Sequence, residues 1–180
     1  MKFLFALLNI PLAALLVSCG TVSEVQPTTG VSSKRYSRVL IRDFKYTEED
    51  GEDGLGSPTT FPNTILTYVI KNGGYSSVVR NGKANSETLV IEGEVTTYNE
   101  GNPMLRAMVG FGAGSSYFDA NVRFVDGGTG KVVGTMDADK NSWVLGGGLA
   151  AGQTAQGFMI GAAQKVGEES LKFSKRASQP

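Results

Sequence analysis

Length, composition and charge limit what this chain can be. Its 180 residues include 41% hydrophobic residues and 24 glycines, with 17 basic and 17 acidic residues, which is typical of a globular protein with a real core. Neither sign of charge collects into a long block, so nothing in the composition points to nucleic acid as a partner.

The first 18 residues have the pattern of a signal peptide. Lys2 supplies a positive start, and residues 3–17 are almost wholly apolar. About 15 apolar residues are short of the roughly 20 that span a bilayer, and Pro11 argues further against a permanent membrane helix. The pattern predicts a leader that is removed.

The end of this leader, Leu16-Val17-Ser18-Cys19, resembles the bacterial lipobox. The resemblance implies cleavage between Ser18 and Cys19. It also implies covalent diacylglycerol and an N-acyl lipid on Cys19, with no other cofactor, and several acyl chains together give a firm membrane anchor. Gly20 follows the cysteine, rather than the aspartate that resembles an inner-membrane retention signal. The expected location is therefore the outer membrane, with the domain facing the periplasm.

The remaining sequence predicts a tether, one domain and a short tail. Residues 20–33 are rich in Thr, Ser, Gly, Val and Pro without a sustained period, so residues 19–34 are expected to be the lipidated cysteine and a flexible tether. Cys19 is the only cysteine, which excludes an intramolecular disulfide. A single α+β domain is predicted for residues 35–176, followed by a disordered tail at 177–180.

The first half of this domain predicts a β-α-β unit. The apolar run Val39–Phe44 is typical of a strand that is buried on both faces. Thr60 as a cap and Pro62 in the first turn predict a helix that ends near Asn72, and a short strand at Ser77–Arg80 is expected beside the first. The apolar side of the helix is predicted to comprise Ile65, Leu66, Val69 and Ile70.

The second half predicts an antiparallel β-meander and a glycine-rich C-terminal helix. Residues 87–98 and 117–125 alternate apolar and polar side chains, as in a sheet with one face on the core. The turn Asp126–Gly130 leads to a third strand that runs to about Trp143, and the helix covers about Leu149–Lys175. The predicted inward-facing residues are Leu89, Ile91, Val95, Phe118, Ala120, Val122 and Phe124.

Four of these segments together resemble a known family. They are Asp43-Phe44 at the end of the early strand, the run Leu89–Val95, the glycine run Gly110–Gly114 and Thr129-Gly130-Lys131. They resemble the uncharacterised bacterial lipoproteins of domain of unknown function 4410. The resemblance implies a lipoprotein but no chemistry, so it supplies no catalytic residue. At the level of fold, the element order resembles small periplasmic domains that assemble or activate envelope machines.

Catalytic and metal sites find little support in the sequence. The chain has no histidine, which removes the commonest general base and metal ligand. The acidic pairs Glu92/Glu94 and Asp137/Asp139 each share a strand face, but such alternating carboxylates usually meet water. The segment that begins at Asp137 starts like a calcium loop, yet it lacks the required glycine and the closing glutamate. We therefore expect no catalytic residue and no metal site.

The glycines are the remaining unusual feature. Two pairs, Gly148/Gly152 and Gly157/Gly161, have GxxxG spacing. On a helix, such a pair places bare backbone on one side, so that another helix can approach closely. The favoured interpretation is that the C-terminal helix packs on its own sheet, and the alternative is self-association. The glycines expected to serve packing or self-association are Gly110, Gly112, Gly114, Gly148, Gly152, Gly157 and Gly161.

These features predict a membrane-anchored periplasmic lipoprotein that acts as a non-catalytic binding or assembly module of the cell envelope. Its expected partners are the membrane, through the anchor, and either an envelope protein or further copies of itself. A glycine-zipper protein that assembles at the membrane is the first alternative. A carboxylate-dependent hydrolase of envelope polymers is the second.

Overall fold

A computed structural model describes residues 34–46, 59–108, 114–141 and 154–175 of the chain. The predicted signal peptide, Cys19, most of the tether and the tail lie outside the described residues. None of the helices within the described ranges is long and apolar enough to cross a membrane. The elements in chain order are β1 Arg38–Ile41, β2 Lys45–Tyr46, α1 Thr60–Asn72, β3 Ser77–Arg80, β4 Thr88–Asn99, α2 Pro103–Met108, β5 Tyr117–Asp126, β6 Val132–Asn141 and α3 Ala155–Lys175.

The strands form one mixed sheet in the order β3-β1-β4-β5-β6, with β2 also paired to β4. β1 is parallel to both β3 and β4, whereas β4, β5 and β6 are antiparallel. The predicted α+β class, the β-α-β unit and the meander are all confirmed. Because β1 lies between two strands, Val39, Leu40 and Ile41 are all buried, as the continuous apolar run predicted.

The main core lies between the sheet and two helices, α1 and α3, which also contact each other. Phe61 of α1 lies at its centre, with ring centroids 5.0 Å from both Phe44 and Phe118. All seven residues that were predicted to face inward on β4 and β5 are buried. Ile70 was wrongly placed on the buried side of α1, since it is 59% exposed. It lies about 100° around the helix from the buried Val69.

The opposite face of the sheet is crossed by one segment of the described chain. β3 and β4 lie on either side of β1, so residues 81–87 pass over β1 to connect them. The amide of Asn81 donates to the carbonyl of Ile41 at one end, and Arg38 donates to Glu87 at the other. This crossing segment covers Leu40, and a Cβ on Gly82 would lie 3.7 Å from the Leu40 side chain. Towards the C-terminal end of β4 this face carries polar side chains, among them Glu92, Glu94 and Arg123.

Several predicted boundaries differ from the structure. Thr60 is the first residue of α1, and Thr59, which precedes it, makes no capping hydrogen bond through its side chain. The first strand ends at Ile41, three residues before Phe44, and pairing with β4 resumes at β2. α3 begins at Ala155, and the part of the helix predicted before residue 154 lies outside the described residues. Gly73 ends α1 with φ +65°, as predicted.

Candidate functional site

The connection between β4 and β5 carries α2, a helix that was not predicted. Asn102 begins it, because its side-chain oxygen accepts hydrogen bonds from the amides of Met104 and Leu105 at 3.0 and 3.1 Å. The residue after Asn102 is a proline in the first position of the helix, where its missing N–H costs nothing. An Asn-Pro pair at this position was the sequence signal for α2.

Two glycines close the base of this connection. Gly101 and Gly114 have φ angles of +64° and +69°. A Cβ on Gly101 would lie 2.3 Å from the carbonyl oxygens of Gly114 and Ser115, and one on Gly114 would lie 2.3 Å from that of Asn102. The amide of Asn102 also donates to Gly114 at 3.0 Å. The predicted site residue Gly114 therefore has a local role, since it lets the two arms of the connection meet.

α2 presents apolar side chains to solvent. Met104 and Met108 are 69% and 73% exposed, and Leu105 is 45% exposed. Tyr117, at the start of β5, is 36% exposed at the same end of the sheet. We call these four residues the α2 patch. Single exposed apolar residues are ordinary, but a cluster on one protruding helix marks a contact surface.

Glu100 attaches the start of α3 to this end of the sheet. Its carboxylate accepts hydrogen bonds from the amides of Ala155 and Gln156, at 3.1 and 3.3 Å, and from the Tyr98 hydroxyl at 2.7 Å. The Thr154 hydroxyl accepts a further bond from the α3 amide of Gly157 at 3.0 Å. An anionic group at a helix N-terminus satisfies free amides and complements the helix dipole. The α2 connection and α3 are thus held together.

The glycines of α3 divide into two kinds. Gly157 and Gly161 face solvent, and a Cβ on Gly161 would meet no atom within 4 Å. Gly167 is buried, and a Cβ there would lie 2.5 Å from Cδ1 of Tyr68 on α1. α3 does pack on its own sheet, through Met159, Ala162 and other apolar residues. The glycine that permits close approach of the helices is Gly167. Gly157 lies close to the Thr154 cap, where a Cβ would be 3.3 Å from the hydroxyl oxygen, whereas Gly161 has no neighbour among the described residues.

A shallow groove runs between α1 and α3 beside these exposed glycines. It is lined mainly by small or polar side chains, including Thr64, Thr67 and Gln164, together with Ile160 and Lys71. Ile160 is 39% exposed and lies next to Gly161. The groove is a surface that another helix could approach, and the exposed Gly161 adjoins it on α3, next to Ile160.

The open sheet face contains the carboxylates that the sequence singled out. Glu92 lies between two arginines, 3.7 Å from Arg42 and 2.8 Å from Arg123. Glu94 and Asp137 both lie opposite Asn121 in the strand register, one on each side of it. The face is therefore an ion-paired, water-exposed surface of the kind expected for alternating carboxylates. No cluster of three metal-ligating side chains occurs within the described ranges.

The tether joins the domain at the end opposite α2. Asp126, buried in the β5–β6 turn, accepts from Lys34 at 2.6 Å, from the Tyr36 hydroxyl at 2.9 Å and from the amide of Thr129 at 2.8 Å. Burial alone would raise the pKa of the Asp126 carboxyl, but these donors hold it well below its ordinary value. The ion pair fixes where the tether joins the domain, at the C-terminal end of α3.

Comparison with known proteins assigns the chain to a family. The model of the domain of unknown function DUF4410 matches residues 39–146, which is more than half of the sequence. The chain belongs to this family. A comparison with curated proteins finds no match.

Solved structures share the fold of this DUF4410 chain at low identity. The PelC dodecamer from Paraburkholderia phytofirmans is 14% identical and has a TM-score of 0.53, with 79% of this chain and 93% of that chain covered. A variant of that dodecamer is also 14% identical, with a TM-score of 0.50 and coverage of 86% and 98%. A protein of the DUF330 family from Xanthomonas campestris is 14% identical at a TM-score of 0.47, with coverage of 89% and 98%.

Several of the predicted site residues fall in parts of the DUF4410 chain that the structure does not describe. Gly110, Gly112, Gly148 and Gly152 lie outside the described residues, as do Ser18 and Cys19. The α2 patch was missed because α2 has only six residues, too few for its helical spacing to be recognised, and the role of Gly167 was missed because its spacing carries no signal of its own.

Proposed function

We propose that this DUF4410 chain is a lipid-anchored, non-catalytic assembly module of the bacterial cell envelope that associates with further copies of itself. The observation that carries the proposal is the exposed backbone of α3 at Gly161, in the interior of the helix. Glycine in a helix interior costs about 0.5–1 kcal/mol relative to alanine. At Gly161 no neighbour in the described part of the domain accounts for that cost, whereas a second copy in close contact would.

The fold comparison supports self-association. Two solved structures with TM-scores of at least 0.50, PelC and its variant, are dodecamers, so this fold is compatible with the assembly of many copies. The groove between α1 and α3 supplies a surface beside Gly161, with Ile160 as an exposed apolar contact. An envelope protein of another kind remains the alternative occupant of this surface.

The anchor is supported by the sequence alone. The leader, the lipobox-like run that ends at Ser18-Cys19, and the lone cysteine all agree with lipid attachment at Cys19. In whole cells, Cys19→Ala should leave the leader uncleaved and the protein without lipid at residue 19. A Cys19→Ala protein that is processed and fractionates with the outer membrane as before would contradict the anchor.

The self-association experiment is chemical crosslinking in native membranes, followed by mass identification of the products. We expect a ladder of self-multiples from the wild-type protein. Gly161→Leu should reduce the ladder, because its side chain projects into the space that a partner's backbone would occupy. Gln156→Leu is the matched control, since it adds the same side chain at an exposed position about 140° around α3. Equal ladders for both variants would exclude this α3 face as the interface, and a single foreign protein would make the module an adaptor.

The hydrolase alternative has a separate test. The Glu92 carboxylate is engaged by two arginines, which suits a structural ion pair. Cells that carry Glu92→Gln or Asp137→Asn should therefore show the same envelope phenotype as wild-type cells. Loss of polymer turnover in either variant would instead favour catalysis.

A further inference from the structure

A row of three charged side chains crosses the open face of the sheet. Glu92 of β4 and Arg123 of β5 are partners in the strand register. Arg42, the residue after β1, lies on the other side of β4, where its amide donates to the carbonyl of Ile91. The Glu92 carboxylate accepts a hydrogen bond from Nη2 of Arg123 at 2.8 Å and lies 3.7 Å from Nε of Arg42. One carboxylate therefore holds two guanidinium groups near each other.

Both guanidinium groups keep most of their hydrogen-bonding capacity. More than half of each arginine side chain is exposed, at 53% for Arg42 and 57% for Arg123. A guanidinium carries five N–H donors, and the bond from Arg123 to Glu92 uses one of them. The planar forks that remain match the oxygens of a carboxylate or a phosphate. The first row is therefore suited to an oxyanion.

A second row lies beside the first. Lys45 of β2 and Asn121 of β5 are both register partners of Glu94 on β4. The two rows line one shallow cleft of about 460 Å³, which is within the range of sites that bind small molecules. The cleft is thus large enough for more than a bare anion.

The charges that line the cleft favour a negative ligand. Asp43 borders the cleft, but its carboxylate is paired with Arg80. The two rows then contribute three cationic side chains and two carboxylates. One positive charge is therefore unmatched within the described residues, and an anion between the two arginines would also offset their mutual repulsion.

We propose that this cleft binds an anionic sugar unit, with its carboxylate or phosphate on Arg42 and Arg123 and its hydroxyl groups on Glu94 and Asn121. The second row is the reason for choosing a sugar. A carboxylate such as Glu94 repels a bare anion but accepts hydrogen bonds from hydroxyl groups, and the Asn121 amide both donates and accepts. The cleft is separate from the α3 surface proposed for self-association, so neither proposal depends on the other.

Saturation-transfer NMR on the full chain, purified in detergent, tests the site by titration with defined probes. The probes are galacturonate, a galactose phosphate, inorganic phosphate and galactose, which is the matched sugar without an anionic group. Arg42→Gln and Arg123→Gln each remove one guanidinium group. Lys131→Gln is the matched control, because it removes one positive charge at an exposed position beside the β5–β6 turn. Exposed ion pairs contribute little stability, so all three variants should fold, which circular dichroism would check.

We expect one of the acidic sugars to bind at least tenfold more tightly than galactose or inorganic phosphate. Loss of one charge-assisted pair should weaken that binding about tenfold or more in Arg42→Gln and Arg123→Gln, whereas Lys131→Gln should bind as wild type does. Asn121→Ala should weaken binding of the acidic sugar and leave binding of inorganic phosphate unchanged.

Three results would overturn the proposal. They are equal affinity for galactose and the acidic sugars, equal affinity for inorganic phosphate and the acidic sugars, and equal losses in Arg123→Gln and Lys131→Gln. The source of the sugar follows from a trimer of galacturonate. Tighter binding of the trimer would support the proposal with a polymer chain as the source, and equal binding would support it with a free sugar acid.

Discussion

Alanine at two glycines of α3 should have opposite effects on stability. At Gly161 the added methyl group meets no atom within 4 Å, and Gly161 faces solvent in the interior of the helix. Alanine there gains only helix propensity, so Gly161→Ala should raise the free energy of unfolding by about 0.5–1 kcal/mol. At Gly167 the same gain is opposed by contact with the Tyr68 ring.

The contact at Gly167 is too close to be absorbed locally. A Cβ there would lie 2.5 Å from Cδ1 and 3.2 Å from Cγ of Tyr68, and Cγ is attached directly to the Cβ of that residue. The ring must rotate or the two helices must separate, and such overpacking costs about 1–3 kcal/mol. Gly167→Ala should therefore be less stable than Gly161→Ala by about 1–3 kcal/mol.

Denaturant unfolding of the mature protein, followed by circular dichroism at low concentration, measures this difference. For a chain of this size, each kcal/mol should move the midpoint of thermal unfolding by about 2–4 °C. Equal stability of the two variants would refute the close approach of α1 and α3. A loss of stability in Gly161→Ala at low protein concentration would refute the open position of Gly161 in the monomer.

Three further predictions concern the ends of the domain and the sheet. Lys34 and the β5–β6 turn keep the pKa of the Asp126 carboxyl below its unfolded value, so wild type has stability above about pH 4 that it loses as the pH falls. Asp126→Asn should remove this contribution, and the free energy of unfolding should therefore vary less between pH 2 and pH 7 in the variant. Glu100→Ala should cost about 1–2 kcal/mol and fray the start of α3 in hydrogen exchange, whereas an unchanged exchange rate would contradict the cap. Gly93→Ala should prevent normal folding, because its Cβ would lie 2.0 Å from the carbonyl oxygen of Asn121; soluble, native-like protein would argue against this strand spacing.

The sequence predicted the parts of the fold in which one face of an element is apolar. β4 and β5 alternate with period two, and each residue predicted to face inward is buried. Ile70 shows the limit of the method, because neighbouring apolar residues on a helix cannot all face the core. α2 is six residues long, too short for a helical period to be recognised, so only Asn102 and the following proline marked it.

The candidate surfaces depended on tertiary structure. GxxxG spacing identified Gly157 and Gly161 as candidate contact residues. Only the packing of α1 on α3 shows that Gly167, rather than these two, lies at the contact between the helices. The two arginines beside Glu92 come from β5 and from the residue after β1, and no local pattern predicts that they share one carboxylate. The position of the α2 patch relative to the tether follows from the direction of α3, which the sequence does not specify.

The crossing of residues 81–87 over β1 has a consequence for how the protein is made. β1 pairs only with strands that begin about 40 and 50 residues later in the chain. A chain that emerges amino end first must therefore hold an apolar strand with both edges open until β3 has appeared, and with one edge open until β4 has appeared. Open strand edges are templates for aggregation. Correct maturation thus depends on whatever protects Val39–Ile41 during that interval, and chains truncated before β4 should accumulate as aggregates.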